Sequence, residues 1–143
     1  MIPEINYYAV VLAALSSLVV GSVWYSPRVF GTRWSRLANV SMEGEAKDAV
    51  GPIMLTVIVS FVTAWVLAGA ATIAWHFYSG SYLLSAVVTA ALMWVGFTAA
   101  RVITHDAFER RPAGLTLLTI SHECVTIVVM GIIIGVWPPA GTV

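Results

Sequence analysis

The residues in this sequence best able to do chemistry are His122 and Glu123, adjacent inside an apolar run from Leu115 to Trp137. An ionisable group at that depth in hydrocarbon is costly unless it meets a partner or water. Thr116, Thr119, Glu123 and Thr126 follow one another at spacings of three and four, so a helix carries them on one face, as a polar stripe along its first half. Arg101, about a turn from the end of the preceding apolar run, is the cation expected to answer Glu123. The difference in depth, roughly six residues at about 1.5 Å each, is within reach of the two side chains. Asp106 and Glu109 compete for the same arginine. Three uses of a buried cluster of Arg101, His122, Glu123, Thr119 and Thr126 follow. It is a structural ion pair holding two helices together, a proton or ion relay in which neighbouring Glu and His exchange a proton, or a site for a small polar ligand or lipid headgroup.

Other chemistries find little support. His122-Glu123 begins like the HExxH zinc motif, but Thr126 stands where the second histidine belongs, so no metal site and no cofactor are expected. Cys124 is the only cysteine, which leaves no disulfide or CxxC pair, and a thiol in apolar surroundings reads as packing. There is no GxSxG, no glycine-rich phosphate loop and no carboxylate pair at catalytic spacing, so an enzyme is not the expectation. Seven basic residues balance seven acidic ones, too few for a phosphate-neutralising surface, and nucleic acid is not an expected partner.

The elements that must position these residues follow from composition. Of 143 residues, 59% are hydrophobic and 10% charged, and the mean hydropathy is +0.90. A typical soluble domain is about a quarter charged, so the solvent here is the lipid bilayer. Four apolar stretches, about residues 5–25, 53–75, 82–104 and 115–137, each approach the length of a membrane-spanning helix. The expected fold is all-α: a single transmembrane domain over residues 1–143, built as a four-helix antiparallel bundle, with the first helix retained rather than cleaved. Asn6 is placed to cap that helix. Trp24, Tyr25 and Trp137 fall at run ends, where aromatic rings settle at the headgroup level.

Arg28, Arg33, Arg36 and Lys47 lie in the first connection and Arg110 and Arg111 in the third, with no Lys or Arg in the second or in either tail. By the positive-inside rule, connections one and three are cytoplasmic and both termini lie outside. Phe30, Trp34 and Leu37 recur at helical spacing with Arg33 and Arg36 between them, which predicts a short interfacial helix in the first cytoplasmic loop, its arginines on lipid phosphates. Residues 43–50 then form a charged lead into the second span.

Helix association in lipid relies on small residues. Ala9, Ala13, Ser17 and Gly21 make a seam along the first helix, and Gly96 with Ala100 and Gly131 with Gly135 offer similar faces on the third and fourth. These serve bundle contacts or a homo-oligomer.

The elements WYSP at 24–27, Phe30-Gly31 with Trp34, Phe108-Glu109-Arg110-Arg111-Pro112, His122, Met130-Gly131 and Gly135-Val136-Trp137 together resemble the DUF1761 family of small bacterial membrane proteins. The resemblance spans essentially the whole chain. It implies four membrane helices in the bacterial inner (plasma) membrane and a function yet to be characterised, with no catalytic residues to carry over. A transporter or channel-like protein and a non-catalytic accessory or lipid-interacting protein both remain open, and the identity of any small-molecule ligand is unknown.

Overall fold

The computed structural model describes residues 3–41 and 46–142, the side chains of the second stretch from residue 49 onward. Regular structure among the described residues is entirely helical. The elements are α1 (Tyr7–Trp24), α2 (Gly31–Ala38), α3 (Ala46–Tyr78), α4 (Tyr82–Met93), a π-helical segment (Trp94–Ala99), α5 (Ala100–Phe108) and α6 (Ala113–Val136). Four stretches are long and apolar enough to cross a membrane: Tyr7–Trp24, Ala49–Tyr78, Tyr82–Phe108 and Ala113–Val136.

The bounds differ from those predicted mainly in the second span. Of the charged lead over 43–50, residues 43–45 and the Lys47 side chain lie outside the described residues, while the backbone is helical from Ala46. Pro52 sits inside α3 near its start. The Thr56 hydroxyl, four residues on, donates to the Pro52 carbonyl.

Helix α1 packs against α3 and α6, and α4 packs against the same two. Their shared core is unusually rich in alanine: Val10, Ala13 and Ala14 meet Ala64, Leu67, Ala68 and Ala71, then Ala86 and Ala90, with Ile127, Met130 and Ile134 from α6. Small side chains let helix backbones approach closely, and the dispersion gained by close approach is what remains to hold helices together in lipid. Gly131 and Gly135 lie in this contact, facing Ala86, Ala90 and Leu83 of α4. Ala9, Ala13 and Ser17 of the α1 seam are buried. At the start of α1, Asn6 accepts from the amides of Tyr8 and Ala9, and its own amide donates to the Trp137 carbonyl at 3.2 Å, tying the start of α1 to the end of α6.

The π-helical segment corrects one expectation. In an unbroken α-helix, Arg101 stands about three turns beyond buried Ala90 and on the same face. The wider π-turn lets the face slip, as an extra residue per turn must. Ala99 and Asp106 take the inward positions instead, leaving Phe97 and Arg101 exposed. Gly96 and Ala100 are exposed as well. A Cβ on Gly96 would meet nothing within 4 Å.

The first connection carries the short helix α2 and packs it on the protein. Phe30 lies against Trp24 and Trp34 against Tyr25, with ring centroids 4.6 and 5.3 Å apart. Leu37 reaches Gly114 at the start of α6. The apolar side of α2 is thus spent largely on protein, and Arg33 and Arg36 remain exposed.

Candidate functional site

In its C-terminal half α3 is gripped by its neighbours through Ser60, Ala64, Leu67, Ala68, Ala71 and Thr72, whereas most of residues 49–59 are exposed. Between this freer half of α3, the end of α1 and the middle of α6 lies a cavity of about 770 Å³. Its walls include Ser17, Ser22 and Tyr25 from α1 and its C-cap, Thr56, Ser60 and Thr63 from α3, Thr98 from the π-segment, and His122, Glu123 and Thr126 from α6. Leu18, Ile53, Val59, Ile127 and Met130 supply the apolar remainder. Ile127 and Met130 also belong to the alanine-rich core, so the cavity ends where that core begins.

Glu123 and His122 are the ionisable centre. His122 Nδ1 stands 3.3 Å from Glu123 Oε1. The His122 side chain is 13% exposed and that of Glu123 45%, so the imidazole is the inner member and the carboxylate the one that faces outward. With Nδ1 engaged by a carboxylate, the Nδ1–H tautomer is the one that satisfies the pair. His122 Nε2 is buried and has no hydrogen-bond partner among the described residues, and the same holds for Thr126 Oγ1 and Trp24 Nε1. Buried polar atoms normally have partners, so the two orphans on residues of the cavity wall, His122 Nε2 and Thr126 Oγ1, mark it as a place where a bound molecule or water completes the set.

Aromatic rings enclose the imidazole. Tyr25 and Trp24 lie 5.0 and 5.9 Å from His122, centroid to centroid. They fold over the site because the turn at Ser26 returns the chain toward α6. Just beyond α1, burial raises the Tyr25 phenol above its ordinary range, and the Glu123 carboxylate adds to the rise. Trp94 contributes from the π-segment: its indole N–H donates to the Ile120 carbonyl at 2.8 Å, holding α6 one turn before Glu123.

Of the predicted cluster, His122, Glu123 and Thr126 meet at the cavity. Thr119 donates to the Leu115 carbonyl of its own helix and is not on the wall. Arg101 is exposed and forms no ion pair with Glu123 among the described residues. Arg28, Arg110 and Arg111 are exposed, as is Trp137, which stacks with Tyr8 at 6.2 Å.

The arginine that does bind a buried acid is Arg111. Asp106 is 6% exposed, accepts from the Thr116 hydroxyl at 2.7 Å and lies 3.7 Å from Arg111 Nε. Arg111 Nε also contacts Glu109 at 2.5 Å, and His105 Nε2 stands 3.3 Å from the same carboxylate. The oxygens and nitrogens of His105, Asp106 and Glu109 come within 4.8 Å of one another, one guanidinium bridges the two acids, and the group works as a clamp on the α5–α6 corner. Asp106→Ala should therefore lower stability by about 2 kcal/mol, since it strips Thr116 of its acceptor and leaves half-exposed Arg111 with Glu109 alone. Thermal melting in detergent reads this, and a melting point like that of the parent would show that the corner holds without the clamp.

A second cavity, of about 760 Å³, lies at the far end of the molecule between Glu4, His76, Phe77 and the tail at Gly141 and Thr142. No cluster of buried unpaired groups accompanies it among the described residues.

A family model described as a protein of unknown function, DUF1761, matches residues 8–135. The chain belongs to the DUF1761 family. That match takes in every residue named on the cavity wall and the whole α5–α6 corner. No curated protein and no solved structure matches this DUF1761 chain.

Proposed function

We propose that this DUF1761 protein is a small solute carrier of the bacterial inner membrane, its four long helices forming an antiparallel bundle across the bilayer. The observation that carries the reading is the cavity, with an acid–imidazole pair on one wall, hydroxyl groups on the others and a closed apolar core beyond. In this reading a solute enters from the end bearing Arg28, Arg33, Arg36, Arg110 and Arg111. Those five cations put that end in the cytoplasm by the positive-inside rule and leave both termini outside. Helix α2 lies at the inner headgroup level, with its exposed Arg33 and Arg36 on anionic lipid. Glu123 with His122 is the coupling centre, exchanging a proton against the solute. Four helices enclose little room, so passage through the closed core calls for rearrangement within a homo-oligomer.

Two measurements test this. In a Cys124→Ser background, cysteines at Thr63 and Thr98 should react with a membrane-impermeant maleimide added from the cytoplasmic side, while Ala68→Cys in the closed core should not. Protection of Thr63 and Thr98 would mean that lipid fills the cavity, and the carrier reading would fall. In proteoliposomes under an imposed pH gradient, Glu123→Gln should abolish protein-dependent proton flux without altering the melting point. Unchanged flux would remove the proton-coupling role.

A further inference from the structure

The hydroxyls on the cavity wall have a direction. Ser17 donates to the Ala14 carbonyl at 2.7 Å, Ser22 to Val19 at 2.9 Å, Thr56 to Pro52 at 2.8 Å and Thr63 to Val59 at 3.0 Å, each into its own helix. A hydroxyl has one proton to give and two lone pairs. Once the proton goes back to the helix, what remains for the cavity is acceptor capacity. Glu123 is acceptor-only as a carboxylate, and among the described residues no Lys or Arg lines the space. Four back-bonded hydroxyls beside one carboxylate favour a donor-bearing cation over an anion, which finds no counter-charge among the described residues of the wall.

Size and the apolar wall narrow the class further. A volume near 770 Å³ is far larger than a bare metal ion needs, and Leu18, Val59 and Met130 give that space a surface that neither water nor a small inorganic ion satisfies. Tyr25 adds an aromatic ring beside the acid, of the kind that attracts ammonium groups.

We infer that the solute of this cavity is an organic ammonium ion, its N–H groups on Glu123 and the wall hydroxyls and its carbon substituent against Leu18, Val59 and Met130. This rests on the carrier reading and specifies its substrate class. The probe is 2-phenylethylammonium, compared with 2-phenylethanol, phenylacetate and sodium ion, binding to the full chain in a neutral detergent being followed by calorimetry. The ammonium should bind saturably and at least about tenfold more tightly than the isosteric alcohol, the usual worth of a charge-assisted hydrogen bond in a partly buried site. Glu123→Gln should remove that preference while keeping the parent's melting point. Binding of the alcohol or of phenylacetate as tight as that of the amine, or a preference that survives Glu123→Gln, would overturn the assignment. So would competition by sodium at equal concentration. Labelling of Thr63→Cys and Thr98→Cys separates the two failures: with the cavity labelled but no preference for the amine, only the ligand class is lost, and with the cavity protected, both readings are.

Discussion

Gly31→Ala should disrupt the inner end of the molecule more than any other single methyl group added to it. A Cβ at this position would lie 2.1 Å from the Tyr25 carbonyl oxygen and 2.8 Å from its carbon, and 2.9 Å from the carbonyl carbon of Ser26. All three are backbone atoms, so no side-chain rotation relieves the clash. Those atoms belong to the turn that closes α1 onto α2, where the Phe30 amide donates to the Trp24 carbonyl and the Gly31 amide to that of Ser26. The turn has to open, carrying Trp24 and Tyr25 away from His122 and α2 away from α6. The cost should be about 3 kcal/mol or more, the upper range for overpacking, because here the neighbour is main chain. Gly80→Ala is the matched control, since a Cβ there meets nothing within 4 Å, and its effect should stay within about 0.5 kcal/mol. Thermal melting in detergent compares the two, and equal melting points would show that the turn is looser than its geometry. Gly31→Ala should also change the labelling of Thr98→Cys, a consequence that a purely local defect would lack.

Much of the helical frame was legible because its cause is local. Length and hydropathy mark a spanning helix, and the Asn6 cap and the run of small residues on α1 are patterns of neighbours along one chain. What escaped depended on relations that no short window contains. Trp94–Ala99 includes no proline or charge to announce a π-turn, yet the turn redirects every residue after it. That is why Arg101 was assigned to Glu123 and why the true acid–base contact at this end, Asp106 with Arg111, was missed. The i,i+4 spacing of His105 and Glu109, followed at once by arginines, was the signal available for it. The position of Trp24 and Tyr25 at a run end says nothing of their contact with His122, which needs the chain to turn back over its own helix. Thr56, Ser60 and Thr63, spaced at four and three, share one face of α3. Their meaning came only with the opposite wall, which α6 provides from the other end of the chain.

The other large effect should come from Gly135→Ala, and the glycines of the third and fourth spans should respond in opposite ways. A Cβ on Gly135 would come within 2.7 Å of Leu83 Cδ1 and 2.9 Å of Leu83 Cα, and one on Gly131 within 3.0 Å of Ala90 Cβ and 3.2 Å of the Ala86 carbonyl oxygen. Leu83 can swing its methyl aside, but its Cα moves only with the helix, so α4 and α6 must separate along a contact whose energy is close dispersion. Gly135→Ala should therefore destabilise by about 2–3 kcal/mol, Gly131→Ala somewhat less, and the pair by less than the sum, since one displacement of α4 relieves both. Gly96 is exposed, and alanine there should be neutral or stabilising by up to about 1 kcal/mol through helix propensity. Gly96 can nevertheless serve a second copy of the chain. Gly96→Leu then distinguishes the two sets: a bulky group facing lipid should leave the protomer's melting unchanged, whereas at a contact between copies it should shift the subunit number seen by native mass spectrometry. A loss of protomer stability in Gly96→Leu comparable to that in Gly135→Ala would mean that Gly96 packs within the protomer.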